Sequence, residues 1–125
     1  MVFSVIATLP NFASNFNIIN MEFSKNSGEE ISLGLGVTYV KAFRANNPKG
    51  VKAFAVGATH LQAILDQEGC EGIRIYNGFN EEENSPNIVV VGVDCEGRDM
   101  VQGKLLDRGI KCPDMCDIMS PLFQD

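Results

Sequence analysis

The chain contains no tryptophan, a single histidine (His60) and no charged side chain before Glu22. One imidazole cannot build a His-rich metal site or a His–His acid/base pair. The ten Lys and Arg are nowhere gathered into a block, and sixteen Asp and Glu outnumber them, for a net charge of −6. That balance removes the basic footprint on which nucleic-acid and anionic-membrane binding depend. No G-x-S-x-G elbow is present, and Gly34, Gly36 and Gly57 form neither a P-loop nor G-x-G-x-x-G. No apolar run approaches the roughly 20 residues of a membrane span. Catalytic residues, bound metal and cofactor are accordingly all expected to be absent.

What is present is a chain of 125 residues, 45% hydrophobic and 21% charged, which is the size and balance of one compact domain. Its charge is unevenly placed. Residues 1–21 form an uncharged N-terminal arm, and residues 22–125, an acidic α+β domain, carry the whole imbalance. A secretory signal would need a basic start and an unbroken apolar run. This segment has no Lys or Arg, and Ser4, Thr8 and Pro10 interrupt it. The arm is rich in β-branched and aromatic residues and has none of the charges that blunt strand edges. Left in water it invites association, so it is expected to pack on its own domain or on a neighbouring copy. Phe3, Val5, Ile6, Phe12 and Phe16 are the side chains available for that contact.

Along the body, Lys25–Gly28, Pro48–Gly50 and Glu81–Pro86 read as breaks. Leu33–Asn46 reads as a helix with Ser32 as N-cap, although Ile31, Leu33, Leu35, Val37 and Tyr39 also alternate as a strand would. Val51–Val56 is a short strand. Thr59 and Gln62 match a capping box for a helix over His60–Glu68, with Gly69 as its left-handed stop. Ile73–Phe79 alternates as a strand, and Ile88–Val93 is a continuous apolar run suited to a central strand. The acidic connection between them predicts an antiparallel hairpin with a long, solvated loop. A further strand is expected within Met100–Leu106, then an irregular strap over Cys112–Asp125. The sum is a two-layer α+β fold: two helices on a small, mostly antiparallel sheet of three to five strands.

Four cysteines carry the remaining chemistry. Only Cys112 and Cys116 lie close in sequence, and Cys112-Pro-Asp-Met-Cys116 is longer than a redox C-x-x-C. Asp114 and Asp117 beside it would raise a thiol pKa rather than lower it. The pair reads as a local disulfide or as two free thiols that lock the tail. Cys70 and Cys95 read as small buried hydrophobes. His60 reads as a partly exposed residue at a helix start. Asp94, Glu96 and Asp99 read as a solvated turn, lacking the order of a calcium loop, and Glu81–Glu83 as a mobile acidic loop.

The run Asn47-Pro-x-Gly-Val-Lys-Ala-Phe54, the segment Gly69-Cys-x-Gly-Ile-Arg-Ile-Tyr-x-Gly78, Val89-Val-Val-Gly-Val-Asp94 and the ending Cys112-Pro-x-x-Cys116 with Ser-Pro-Leu carry a resemblance. Together they resemble a family of small, functionally uncharacterised proteins of Bacteroidetes-type bacteria, over roughly Ile31–Phe123. The resemblance implies a helix over Leu33–Asn46 and that the Cys112/Cys116 tail is a standing feature of the domain. It implies no activity.

Two functions follow as expectations. The first is a non-catalytic, self-assembling structural or interaction protein whose partners are copies of itself, joined through the arm into a ring or filament. The alternative is a small metal- or redox-active protein working through Cys112 and Cys116. A small-molecule ligand is not identifiable. With the features of a secretory signal unmet in residues 1–21 and no even ladder of disulfide spacings, the cytoplasm is the default expectation for the compartment, and an atypical export route is the alternative.

Overall fold

A computed structural model describes residues 23–107 and 109–124. The arm residues Phe3, Val5, Ile6, Phe12 and Phe16 lie outside the described residues. The elements run α1 (Leu33–Asn46), β1 (Ala53–Ala55), α2 (Ala58–Leu65), β2 (Gly72–Asn80), β3 (Ser85–Val93), β4 (Leu105–Leu106) and β5 (Ile110–Cys112). This is the two-layer α+β class that the residue pattern implies. The strands divide into a three-stranded sheet, β2-β3-β4, and a two-stranded one, β1-β5, every pair antiparallel.

The β2/β3 hairpin is the backbone of the fold. Its register runs without interruption from Gly72↔Val93 to Asn80↔Ser85. The loop is therefore only residues 81–84, much shorter than the acidic composition suggests, with Asn84 in the left-handed region at φ 53°. Asn tolerates that conformation better than most residues. The strand even continues through Pro86, opposite Phe79. It can do so because β4 reaches only Val90 and Val91, so among the described residues β3 has no second strand at Pro86. Glu83, far from being loose, pairs with Lys111 at 3.3 Å, and Lys111 also donates to Ser85 Oγ.

The core lies where α2 crosses this sheet. Ile64, Ile88 and Val90 form its centre, with Leu61, Ile73 and Leu106 packed around them. A helix of eight residues is not stable alone in water, so burial of Ile64, 1% exposed, is what holds α2. The N-cap is Gly57 rather than Thr59, and it makes no side-chain capping bond. Thr59 sits inside the first turn, so the capping box does not form. Gln62 instead donates to Asp66 Oδ1 at 2.8 Å. Gly69 does adopt a left-handed φ of 86°, but beyond the helix end, in the turn that leads to β2.

α1 starts as its sequence implies, with Ser32 Oγ accepting from the Leu35 N–H at 3.1 Å. Its tertiary partner is the C-terminal strap. The Arg44 guanidinium donates to the carbonyls of Leu122 and Gln124. β5 was not legible as a strand; its three residues pair with β1 and bring the strap back across the molecule. Within Met100–Leu106 only Leu105 and Leu106 join the sheet.

Candidate functional site

The described chain begins at Phe23, and its ring lies on the backbone at the head of β2. A Cβ at Gly72 would stand 2.6 Å from Phe23 Cζ, so only glycine admits the ring there. The Lys25 N–H donates to the Glu71 carboxylate at 3.2 Å. The exit of the N-terminal segment is thereby pinned beside the first residue of β2.

Among the described residues, β2 is paired on one side only. β3 takes one edge, and no strand among the described residues takes the other. Side chains alternate across a strand, which places Ile73, Ile75, Asn77 and Phe79 on the face that α2 covers. α2 reaches Ile73, but Ile75 and Phe79 are 55% and 57% exposed. A long edge with apolar side chains standing in water is the kind of surface that accepts another strand.

The opposite face of β2 is polar and closed by its own charges. Arg74 and Tyr76, two residues apart, both reach Asp99 in the turn after β3. Arg74 Nη1 lies 2.5 Å from Asp99 Oδ1, and Nη2 donates to the Gly97 carbonyl at 3.2 Å. The Tyr76 hydroxyl donates to the other Asp99 oxygen. The hydroxyl first, and then the guanidinium, hold the Asp99 carboxyl below its ordinary pKa. The same contacts push the Tyr76 phenol and the Arg74 guanidinium up. Asp99 is thus an ionised anchor for the 94–99 turn, not a group poised to exchange protons near neutrality. Asp99 is not the solvated turn residue that its sequence neighbours suggest but the hub of this cluster. The available signal was the i, i+2 spacing of Arg74 and Tyr76, which puts both on one face.

Cys112 and Cys116 are joined by a disulfide, with Cα atoms 4.9 Å apart. The bond lies in the wall of an apolar groove of about 520 Å³ between α1, β1 and the strap, lined by Tyr39, Phe43, Phe54 and Phe123 among others. Lys52 Nζ stands 5.2 Å from the centre of the Phe123 ring. Cys70 is half-buried and its thiol donates to the Gly72 carbonyl. Cys95 is exposed in its turn, which corrects its expected burial. His60 is exposed in the first turn of α2. Among the described residues no cluster of His, Cys, Asp and Glu could hold a metal ion. None of the helices described is long and apolar enough to cross a membrane. No protein-family model, curated protein or solved structure matches the chain.

Proposed function

We propose that this is a non-catalytic, self-assembling protein whose copies are joined through the uncharged N-terminal segment. The observation that carries the reading is an imbalance of apolar surface. Among the described residues, sixteen large hydrophobic side chains are at least 39% exposed, while six hydrophobic residues make up the buried core. Scattered exposed apolar residues are ordinary. Here several are near neighbours, on α1 (Tyr39, Phe43), on β2 (Ile75, Phe79) and on the strap (Met115, Ile118, Met119). Grouped patches of that kind mark contact surfaces. The N-terminal segment, with Phe3, Val5, Ile6, Phe12 and Phe16, is the uncharged, apolar part of the chain suited to cover one of them.

Light scattering tests the proposal on the full chain and on a form lacking residues 1–20. The full chain is expected to assemble and the shortened one to be monomeric. Two monomers at high concentration would sink the idea.

The second reading is redox work through Cys112 and Cys116, favoured by their bonding in the wall of an apolar groove. A pair that stays oxidised at any physiological thiol potential removes it. The compartment that suits a closed bond here is an oxidising one, which makes the export route the better proposal over the cytoplasm.

A further inference from the structure

We infer that residues Val2–Leu9 of one copy add as a strand to the free outer edge of β2 in a second copy. The inference rests on the self-assembly reading and names the surface that receives the arm. Four observations support it.

The first is the state of the edge. β2 is nine residues long, contains neither proline nor lysine, and keeps a continuous register with β3. Natural edges are usually blunted by proline, lysine, bulges or brevity. The one charged side chain on β2, Arg74, is turned onto Asp99 and Gly97.

The second is the match of pattern. Val2–Leu9 spans eight residues, close to the length of β2, and Pro10 follows, where a ladder must end for want of an N–H. In an extended segment, Phe3, Val5, Ala7 and Leu9 share one face. They would continue the apolar face on which Ile75 and Phe79 now stand in water. Val2, Ser4, Ile6 and Thr8 would fall on the side of Arg74 and Tyr76.

The third is charge. The body carries the whole net charge of −6, so two bodies repel, whereas the arm is neutral and meets no such barrier. The fourth is reach. Thirteen residues, 10–22, separate Leu9 from Phe23. Extended, they span roughly 43 Å, enough to leave the domain on which Phe23 is pinned. Each copy then holds one donor strand and one acceptor edge, a head-to-tail relation that yields rings or filaments.

The test uses full-length protein with single substitutions. Val5→Asp spoils the donor, and Ile75→Lys spoils the acceptor. Phe79→Lys serves as a second acceptor variant. Far-UV circular dichroism matching wild type and a cooperative unfolding transition establish that each variant is folded; its midpoint need not equal that of the assembled wild type. Light scattering should show wild type assembled and each variant reduced to a 13.6 kDa monomer. Mixing Val5→Asp with Ile75→Lys leaves one intact donor and one intact acceptor, so the mixture should form a 1:1 dimer. If both acceptor variants assemble like wild type, the β2 edge is not the receptor, although the arm reading stands. If Val5→Asp assembles like wild type, or wild type is itself monomeric, both fall. Separately monomeric variants that do not pair on mixing would overturn the exchange between copies.

Discussion

Arg44 Nη1 in α1 donates to the carbonyl oxygen of Leu122 at 2.7 Å, across 78 residues of sequence. Its Nη2 donates to the Gln124 carbonyl at 2.9 Å, and the side chain is buried to 9% exposure. One planar fork thus fastens the strap to the first helix. Charge-assisted hydrogen bonds contribute about 1.5–3 kcal/mol each. Arg44→Ala should therefore lower stability by about 2–3 kcal/mol in urea unfolding. It should also open residues 113–124 to limited proteolysis while β2 and β3 stay protected. Arg44→Lys keeps the charge but loses the fork, and should fall between the two.

Ile64 offers the sharpest test of the core. It is 1% exposed and lies against Ile88 and Val90, while its neighbour Leu65 is 39% exposed. Truncating a buried isoleucine costs about 2–5 kcal/mol through lost transfer energy and the cavity left behind. Ile64→Ala should lower the thermal midpoint by roughly 10 °C. Leu65→Ala should cost a small fraction of that. Equal effects would mean that α2 packs by another face.

These two sites differ in how far the sequence reveals them. The spacing of Leu61 and Ile64 makes Ile64 legible as part of an apolar helix face, whereas Leu65, on the same pattern, stays 39% exposed. Ser32 was readable too, since a cap acts within one turn. Arg44 binds the backbone carbonyls of Leu122 and Gln124, 78 and 80 residues away, and no local pattern predicts those contacts. The cap of α2 was misread because Gly57, at φ −71° and ψ 149°, occupies the cap position by backbone conformation alone. The same separation in sequence hides the contacts of Asp99, whose two donors lie 23 and 25 residues away. Patterning within an element was legible, and contacts between distant elements were not. The unpaired edge of β2 belongs to the second kind. It emerges only once the topology leaves β2 with a single neighbour among the described residues.

The Arg74–Tyr76–Asp99 cluster predicts a pH dependence with a definite sign. The folded-state pKa of Asp99 is depressed. Its contribution to stability is therefore complete above the unfolded carboxylate value, near 4, and is lost as pH falls through the lower folded value. Tyr76 is raised, so its contribution is complete below about 10 and is lost as pH climbs through the higher folded value. Asp99→Asn should flatten the acid limb of the stability–pH curve and leave the neutral region level. An unchanged acid limb would show that Asp99 is not held by these donors in solution.

The cysteines predict a count. Alkylation under native conditions, read by mass spectrometry, should label Cys95 quickly and Cys70 slowly, and should spare Cys112 and Cys116. All four should label after reduction. Chain-entropy arithmetic for so short a loop gives about 2 kcal/mol from the crosslink. The Cys112→Ser/Cys116→Ser double variant should lose about that much. The loss should concentrate in the strap, since Cys112 is also the last residue of β5.

Phe23 and Gly72 predict a coupling. The ring of Phe23 occupies the space that a Cβ at 72 would need, at 2.6 Å from Cζ. Gly72→Ala should leave the β2/β3 ladder intact, because the obstacle is a ring near the start of the body and not the sheet. It should instead push Phe23 off the strand. Phe23→Ala removes the same contact from the other side. Once the ring has been displaced, deleting it has little left to cost, so the two changes should be far from additive. A double-mutant cycle in urea should show a coupling of about 1 kcal/mol or more, within the range for residues in contact. Additivity within about 0.3 kcal/mol would mean that the ring does not rest on Gly72. In that case the segment entering the domain would be anchored somewhere other than at the head of β2.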